Sequence, residues 1–210
     1  MRCFIVGNGK SLTVEQLNMI TGKPSYACNR INLAYDKTDF RPSVYVHPES
    51  LAPDIPYIQE NIDMGITCWI GEHFQNEIKP SKATHFIKDC HHHLWNYDNP
   101  DLPLEWHFPQ PCSFGGSVNW AMQRAVLDGF DELILLGCDL EYKDKKPSHF
   151  DERYEHGGEQ PAWFASRNAF WGHVQALCYI RRKNLNVRVL NATIGGNLYI
   201  WERVDLKDVI

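Results

Sequence analysis

The chain has 210 residues, a formal net charge of −5, 43% hydrophobic residues and 12% aromatic residues. That length suits one domain with a sizeable core, and that composition excludes a disordered chain. The acidic balance excludes a general nucleic-acid or membrane-surface binder, while leaving room for a local basic pocket. No apolar stretch reaches the length of a membrane span. The first apolar run starts too close to Met1 to leave space for a secretory signal. The seven cysteines are scattered and odd in number, so they read as reduced, mostly buried thiols of a cytoplasmic protein.

The first strand is Cys3-Phe4-Ile5-Val6, which breaks into Gly7-Asn8-Gly9-Lys10-Ser11-Leu12. Thr13 to Ile20 reads as a short helix ended by Gly22-Lys23-Pro24. A second strand is expected at Ser25–Cys28 and a third at Ser43–Val46, stopping at His47-Pro48. Pro53 to Ile62 suits a helix with its prolines near the start. Thr67–Ile70 and Thr84–Ile87 suit short strands. A long irregular insertion follows near positions 88–112, rich in His, Trp, Asp and Pro. Ser117 to Leu127 has helical periodicity, and Glu132–Leu136 is a buried strand ending at Gly137-Cys138-Asp139. Lys143 to Gln160 reads as irregular, Asn168–Lys183 as a long helix, Val187–Leu190 as a strand and Leu198–Val204 as an edge strand. This alternation predicts a single α/β, Rossmann-like domain: a mainly parallel sheet with helices on both faces.

A buried strand, a glycine turn and a helix can present backbone N–H groups to a phosphate. Gly7, Asn8, Gly9 and Ser11 are therefore candidate nucleotide contacts, with a plain tight turn as the alternative. The motif is not the dinucleotide fingerprint, because Leu12 stands at the third glycine. It is not a P-loop either, because Phe4 stands where that loop needs a glycine. Ligands of open parallel sheets bind outside the strand carboxyl ends. Those ends should present Asn8, Asn29, His47, Asp139 and Asn191 to one crevice, with a turn cap at Asn29 and a loop anchor at Asp139 as the structural alternatives. Ser117, at a helix start, can meet a second anion or serve as an ordinary cap.

Gly7-Asn8-Gly9-x-Ser11-Leu12, Cys28-Asn29 and the strand ending in His47-Pro48 resemble the N-terminal half of the bacterial inverting sialyltransferases. The same residues resemble the flagellin-modifying motility accessory proteins. Gly116-Ser117 and Gly129-Phe130-x-Glu132-Leu133-x-Leu135-x-Gly137-x-Asp139 continue the likeness. They are equally similar to the 6-hydroxymethylpterin diphosphokinase-like proteins. The resemblance implies that Asn8, Gly9 and Asn29 contact the nucleotide of a CMP-sugar, and that Ser117 contacts its phosphate or sugar. It implies a tyrosine role for Tyr142 or Tyr154 at the leaving phosphate, with surface or packing positions as the alternative.

Two departures stand out. His47-Pro48 replaces the family's Asn-Pro, and Arg167 stands near the family's histidine base. His149 and His156 are the candidate replacements, since a loop could fold them over the crevice and imidazole titrates near neutrality. His173, inside a helix, reads as structural. Arg30 and Arg167 could clamp an anionic substrate or be solvated surface charges. No metal site is assigned. Adjacent side chains such as Cys90-His91-His92-His93 point apart, and zinc would need a distant partner such as His73 or His107.

Three functions stay open. The first is inverting transfer of a sialic-acid-like sugar from a CMP-activated donor to a glycan or small-molecule hydroxyl, with no cofactor required. The second is a diphosphokinase-like enzyme using ATP and magnesium through Asp139 and Glu141. The third is a non-catalytic nucleotide-sugar-binding protein. None implies a nucleic-acid partner or an integral membrane segment; a homo-oligomer is compatible with all three.

Overall fold

The computed structural model describes residues 1–48, 52–88, 116–141, 148–154 and 162–210. Eight parallel strands form one sheet: β1 (Arg2–Val6), β2 (Ser25–Cys28), β3 (Val44–His47), β4 (Thr67–Gly71), β5 (Thr84–Ile87), β6 (Glu132–Leu136), β7 (Arg188–Asn191) and β8 (Glu202–Arg203). Their spatial order is β5-β4-β3-β2-β1-β6-β7-β8. The chain builds outward from β1 in one direction, then returns to the other side of β1 with β6. The strand order therefore reverses between β1 and β6, where open α/β sheets bind their ligands.

Among the described residues, four α-helices cover the sheet: α1 (Val14–Met19), α2 (Ile55–Asp63), α3 (Ser117–Leu127) and α4 (Ala162–Arg182). Strand side chains alternate between faces, and β1 shows the division. Phe4 and Val6 pack with Leu17 of α1 and with Ile58 and Ile62 of α2. Cys3 and Ile5 pack with Trp120, Ala121 and Met122 of α3 and with Ala176 and Ile180 of α4. Both faces are thus buried, which is why β1 and β6 read as unbroken apolar runs.

Many boundaries differ from expectation by one or two residues, and three differences bear on the site or the sheet edge. α4 begins at Ala162, six positions before Asn168, because Ala162-Trp163-Phe164-Ala165 extends its apolar content without a breaker. β7 runs on to Asn191, so that residue closes the strand. β8 is only Glu202–Arg203, because Gly195 and Gly196 take positive φ and wind the preceding chain into a loop. Cys3, Cys28, Cys68 and Cys138 are buried free thiols, whereas Cys178 is exposed. Among the described residues, no helix is long and apolar enough to cross a membrane.

Candidate functional site

The glycine loop turns its donors inward. Gly7 N–H donates to Leu136 O at 2.8 Å, Gly9 N–H to Gly137 O at 2.8 Å and Leu12 N–H to Gly9 O at 3.0 Å. Ser11 gives both its amide, at 2.8 Å, and its hydroxyl to the carboxylate of Asp139. The glycines permit a close approach, but it is to the turn after β6. A Cβ on Gly9 would lie 2.6 Å from Gly137 O and 2.7 Å from the Asp139 carboxyl carbon. A Cβ on Gly7 would lie 2.6 Å from Gly137 O. α1 does not supply the expected open N-terminus either. Thr13 and Gln16 close it with a capping box. The phosphate-cradle expectation for the amides of Gly7, Gly9 and Ser11 is therefore corrected. Backbone donors obliged to pair found partners in the neighbouring turn.

The side chains around this weld make a continuous cluster. Asn8 Nδ2 donates to Cys28 O at 2.7 Å, tying the β1 turn to the end of β2. Its Oδ1 is buried and accepts no hydrogen bond from the described residues. Asn29 adopts φ 50°, the left-handed region that asparagine tolerates better than most residues. In that pose its Oδ1 accepts from Ser117 Oγ at 2.9 Å. Ser117 opens α3 after Gly116, whose φ is 86°, and no side chain caps that helix start through Gly116. α3 thus brings a helix N-terminus to the β2 end of the crevice.

Residues 148–154 pass over the glycine loop. Gly9 and His149 form an antiparallel bridge, and Phe150 N–H donates to Asn8 O at 3.1 Å. His149 stacks on Tyr154 with ring centroids 3.7 Å apart. Asp151 anchors the segment by accepting from Lys37 Nζ at 2.9 Å and Arg153 Nη2 at 2.7 Å. Arg153, with Lys37, holds the Asp151 carboxyl far below the ordinary range, although burial opposes this.

Three expectations change. Arg30 is neither a solvated charge nor a substrate clamp. Its guanidinium is buried, pairs with Asp54 at 2.5 Å and donates to Tyr154 O at 3.0 Å. It also lies 4.8 Å from the Tyr57 ring centroid and 5.5 Å from that of Tyr154. His47 is the last residue of β3 and is fully buried, with Nε2 3.3 Å from Asp54 Oδ2. Its ring faces core partners Tyr45 and Phe74, so it does not line the crevice. Asn191 is likewise absorbed, donating to Leu198 O at 2.9 Å and accepting from Thr193 N at 3.0 Å.

Of the expected site residues, Gly7, Asn8, Gly9, Ser11, Asn29, Arg30, Ser117, Asp139, His149 and Tyr154 come together. Arg167 lies exposed on α4. Tyr142, His156 and the 88–112 insertion apart from Lys88 lie outside the described residues, as do Cys90-His91-His92-His93 and His107. Asp54 was missed because the expected Pro53–Ile62 helix placed it in a first turn, where an acid is commonplace. It stands instead at the N-cap of α2, makes no capping bond and turns inward to Arg30 and His47. His173 is structural as expected: it is buried and accepts from Trp201 Nε1 at 3.2 Å. Burial alone pulls its pKa down to about 4. Burial also raises the Cys138 thiol to about 12, and Asp139 adds to that, so this cysteine is not an available thiolate at neutral pH.

No protein-family model matches the sequence, and no curated protein matches it. Two solved structures are similar. One is the MAf glycosyltransferase from Magnetospirillum magneticum AMB-1, with a TM-score of 0.58 and 16% identity over 100% of this chain and 34% of that chain. This chain thus spans about a third of that protein's length. The other is a variant of the sialyltransferase CST-II in complex with CMP, with a TM-score of 0.50 and 14% identity over 98% of this chain and 92% of that chain. The chain carries the parallel α/β fold shared by these two glycosyltransferases.

Proposed function

We propose that this protein is a glycosyltransferase that takes a nucleotide-sugar, a CMP-activated sialic-acid-like donor, in the crevice beside the β1–β6 reversal. The observation that carries the reading is the joined cluster Asn8–Asn29–Ser117–His149–Tyr154 at the strand carboxyl ends. The likeness of fold to two glycosyltransferases, one of them in complex with CMP, supports it.

Asn8 and Asn29 face the nucleotide in this reading, and the start of α3 at Ser117 faces the donor phosphate. A buried acceptor without a donor costs about 1–3 kcal/mol. A bound N–H or O–H at Asn8 Oδ1 offsets that cost. His149 serves as the base. It takes the proton from the acceptor hydroxyl as that oxygen attacks the anomeric carbon. The bond from that carbon to the phosphate oxygen breaks, and CMP leaves with the bonding pair. Donors at the α3 start stabilise the departing phosphate. Tyr154 holds the His149 ring by stacking. Asp139, which receives both the amide and the hydroxyl of Ser11, holds the glycine turn against the β6 end in this reading.

The test is a thermal-shift panel of CMP, CDP, UDP, ATP and GTP, each with and without magnesium. It is followed by CMP release from CMP-N-acetylneuraminate. Stabilisation by CMP without metal, and turnover that His149→Gln abolishes, are expected. Stabilisation only by ATP with magnesium overturns the reading in favour of a diphosphokinase-like enzyme. CMP binding with no turnover overturns it in favour of a nucleotide-sugar-binding protein.

A further inference from the structure

The loop between β7 and β8 leaves the sheet at the same end as the cluster, on the opposite side of β1 from Asn29. It carries two of the large exposed hydrophobics, Ile194 at 59% and Tyr199 at 71% exposure. An exposed apolar side chain on a flexible tip means little, but this loop is fastened at several points. Asn197 N–H donates to Asp139 O at 2.6 Å. Gly196 packs so close that a Cβ there would lie 2.6 Å from the same oxygen. Thr193 Oγ1 accepts from Cys138 N–H at 3.0 Å, and Asn191 Nδ2 holds Leu198 O. Arg203 donates to the carbonyls of Thr193 and Gly195, and its guanidinium carbon sits 6.0 Å from the Tyr199 ring centroid.

The loop is therefore joined to the residue that receives Ser11, and through the glycine turn to His149. A phenol ring held in the open beside a guanidinium offers one flat apolar face with charged and carbonyl edges. A pyranoside has the matching shape, with an apolar face of C–H groups rimmed by hydroxyls. A protein partner suits the surface less well, because specific interfaces bury about 800 Å² on each side. Two side chains on one loop fall well short of that.

We propose that Tyr199, with the Arg203 guanidinium over one face of its ring, is the acceptor platform: the surface on which a pyranoside acceptor stacks while the donor occupies the β1–β3 side. This rests on the glycosyltransferase reading above. It assigns the two substrates to opposite sides of the strand reversal, with Asp139 and the glycine turn between them.

The experiment is saturation-transfer NMR on the full chain. The probes are the methyl glycosides of galactose, glucose, N-acetylglucosamine and N-acetylneuraminic acid. CMP binding is measured separately by calorimetry. At least one glycoside should show transfer to the protons of its apolar face. That signal should persist in Tyr199→Phe and fall at least fivefold in Tyr199→Ala, with CMP affinity unchanged in both variants. An undiminished signal in Tyr199→Ala, or no signal from any glycoside with the wild-type chain, overturns the platform. Glycoside signal that depends on Tyr199 without any CMP binding sustains the platform and overturns the donor assignment instead.

Discussion

Ser117 Oγ donates to Asn29 Oδ1 at 2.9 Å across 88 positions of sequence. The bond ties the first turn of α3 to the end of β2, so a helix from the second half of the chain opens onto the crevice built by the first half. It also holds a non-glycine residue at φ 50°.

Asn29→Gly removes the side chain while keeping that backbone conformation accessible. Stability should fall only modestly, a lost hydrogen bond being worth about 1 kcal/mol net. CMP affinity should fall tenfold or more. Calorimetry with CMP and a urea melt check the two halves of this prediction. Unchanged affinity would make Asn29 a structural residue only.

Gly9→Ala should damage the fold rather than the ligand contact alone. Its Cβ would meet Gly137 O at 2.6 Å and the Asp139 carboxyl carbon at 2.7 Å, and neither turn can yield without opening the β1–β6 weld. Overpacking of this kind costs about 2 kcal/mol. That is roughly 4–8 °C in Tm for a chain of this size. A Cβ at Gly22 meets nothing within 4 Å, so Gly22→Ala should show only the smaller cost of its positive φ, 76°. Equal Tm values for the two variants would contradict the weld.

Arg30 and Asp54 are each almost wholly buried, and the pair holds the carbonyl of Tyr154. Arg30→Met leaves the Asp54 carboxylate buried beside His47 and should cost about 3–5 kcal/mol. The double variant Arg30→Met with Asp54→Leu removes both charges and should recover much of that loss. Denaturant melts of the single and double variants form the cycle. Additive losses would show that the two side chains act independently.

His173 makes stability depend on acid. Its ordinary pKa of 6.5 falls to about 4 in the folded protein because burial disfavours the charged ring. The unfolded chain therefore binds more protons between those values. The contribution is intact above pH 6.5, is lost progressively as the pH drops, and is exhausted near pH 4. The full effect is about 3 kcal/mol. His173→Gln keeps an acceptor for Trp201 and should flatten this part of the stability profile, measured by urea melts across that range. An unchanged slope would show that other groups dominate it.

The strands and their order of appearance were legible in the sequence because burial on both faces writes itself as short apolar runs closed by turn residues. β6 and α3 came out with the expected boundaries, Glu132–Leu136 and Ser117–Leu127. The meeting of Asn8, Asn29 and Ser117 at one end of the sheet was legible too, since strand carboxyl ends and the following helix starts share that edge in an open parallel sheet. Local composition determined those features. It could not decide partners. The Gly7 and Gly9 amides have the same sequence signature whether they face a phosphate or the β6 turn, and only the 2.8 Å bonds to Leu136 and Gly137 distinguish the two. Arg30 and His47 were equally opaque, because their burial depends on Asp54 arriving from a separate segment. A charge's role is set by what reaches it through space, and that depends on the packing of distant segments.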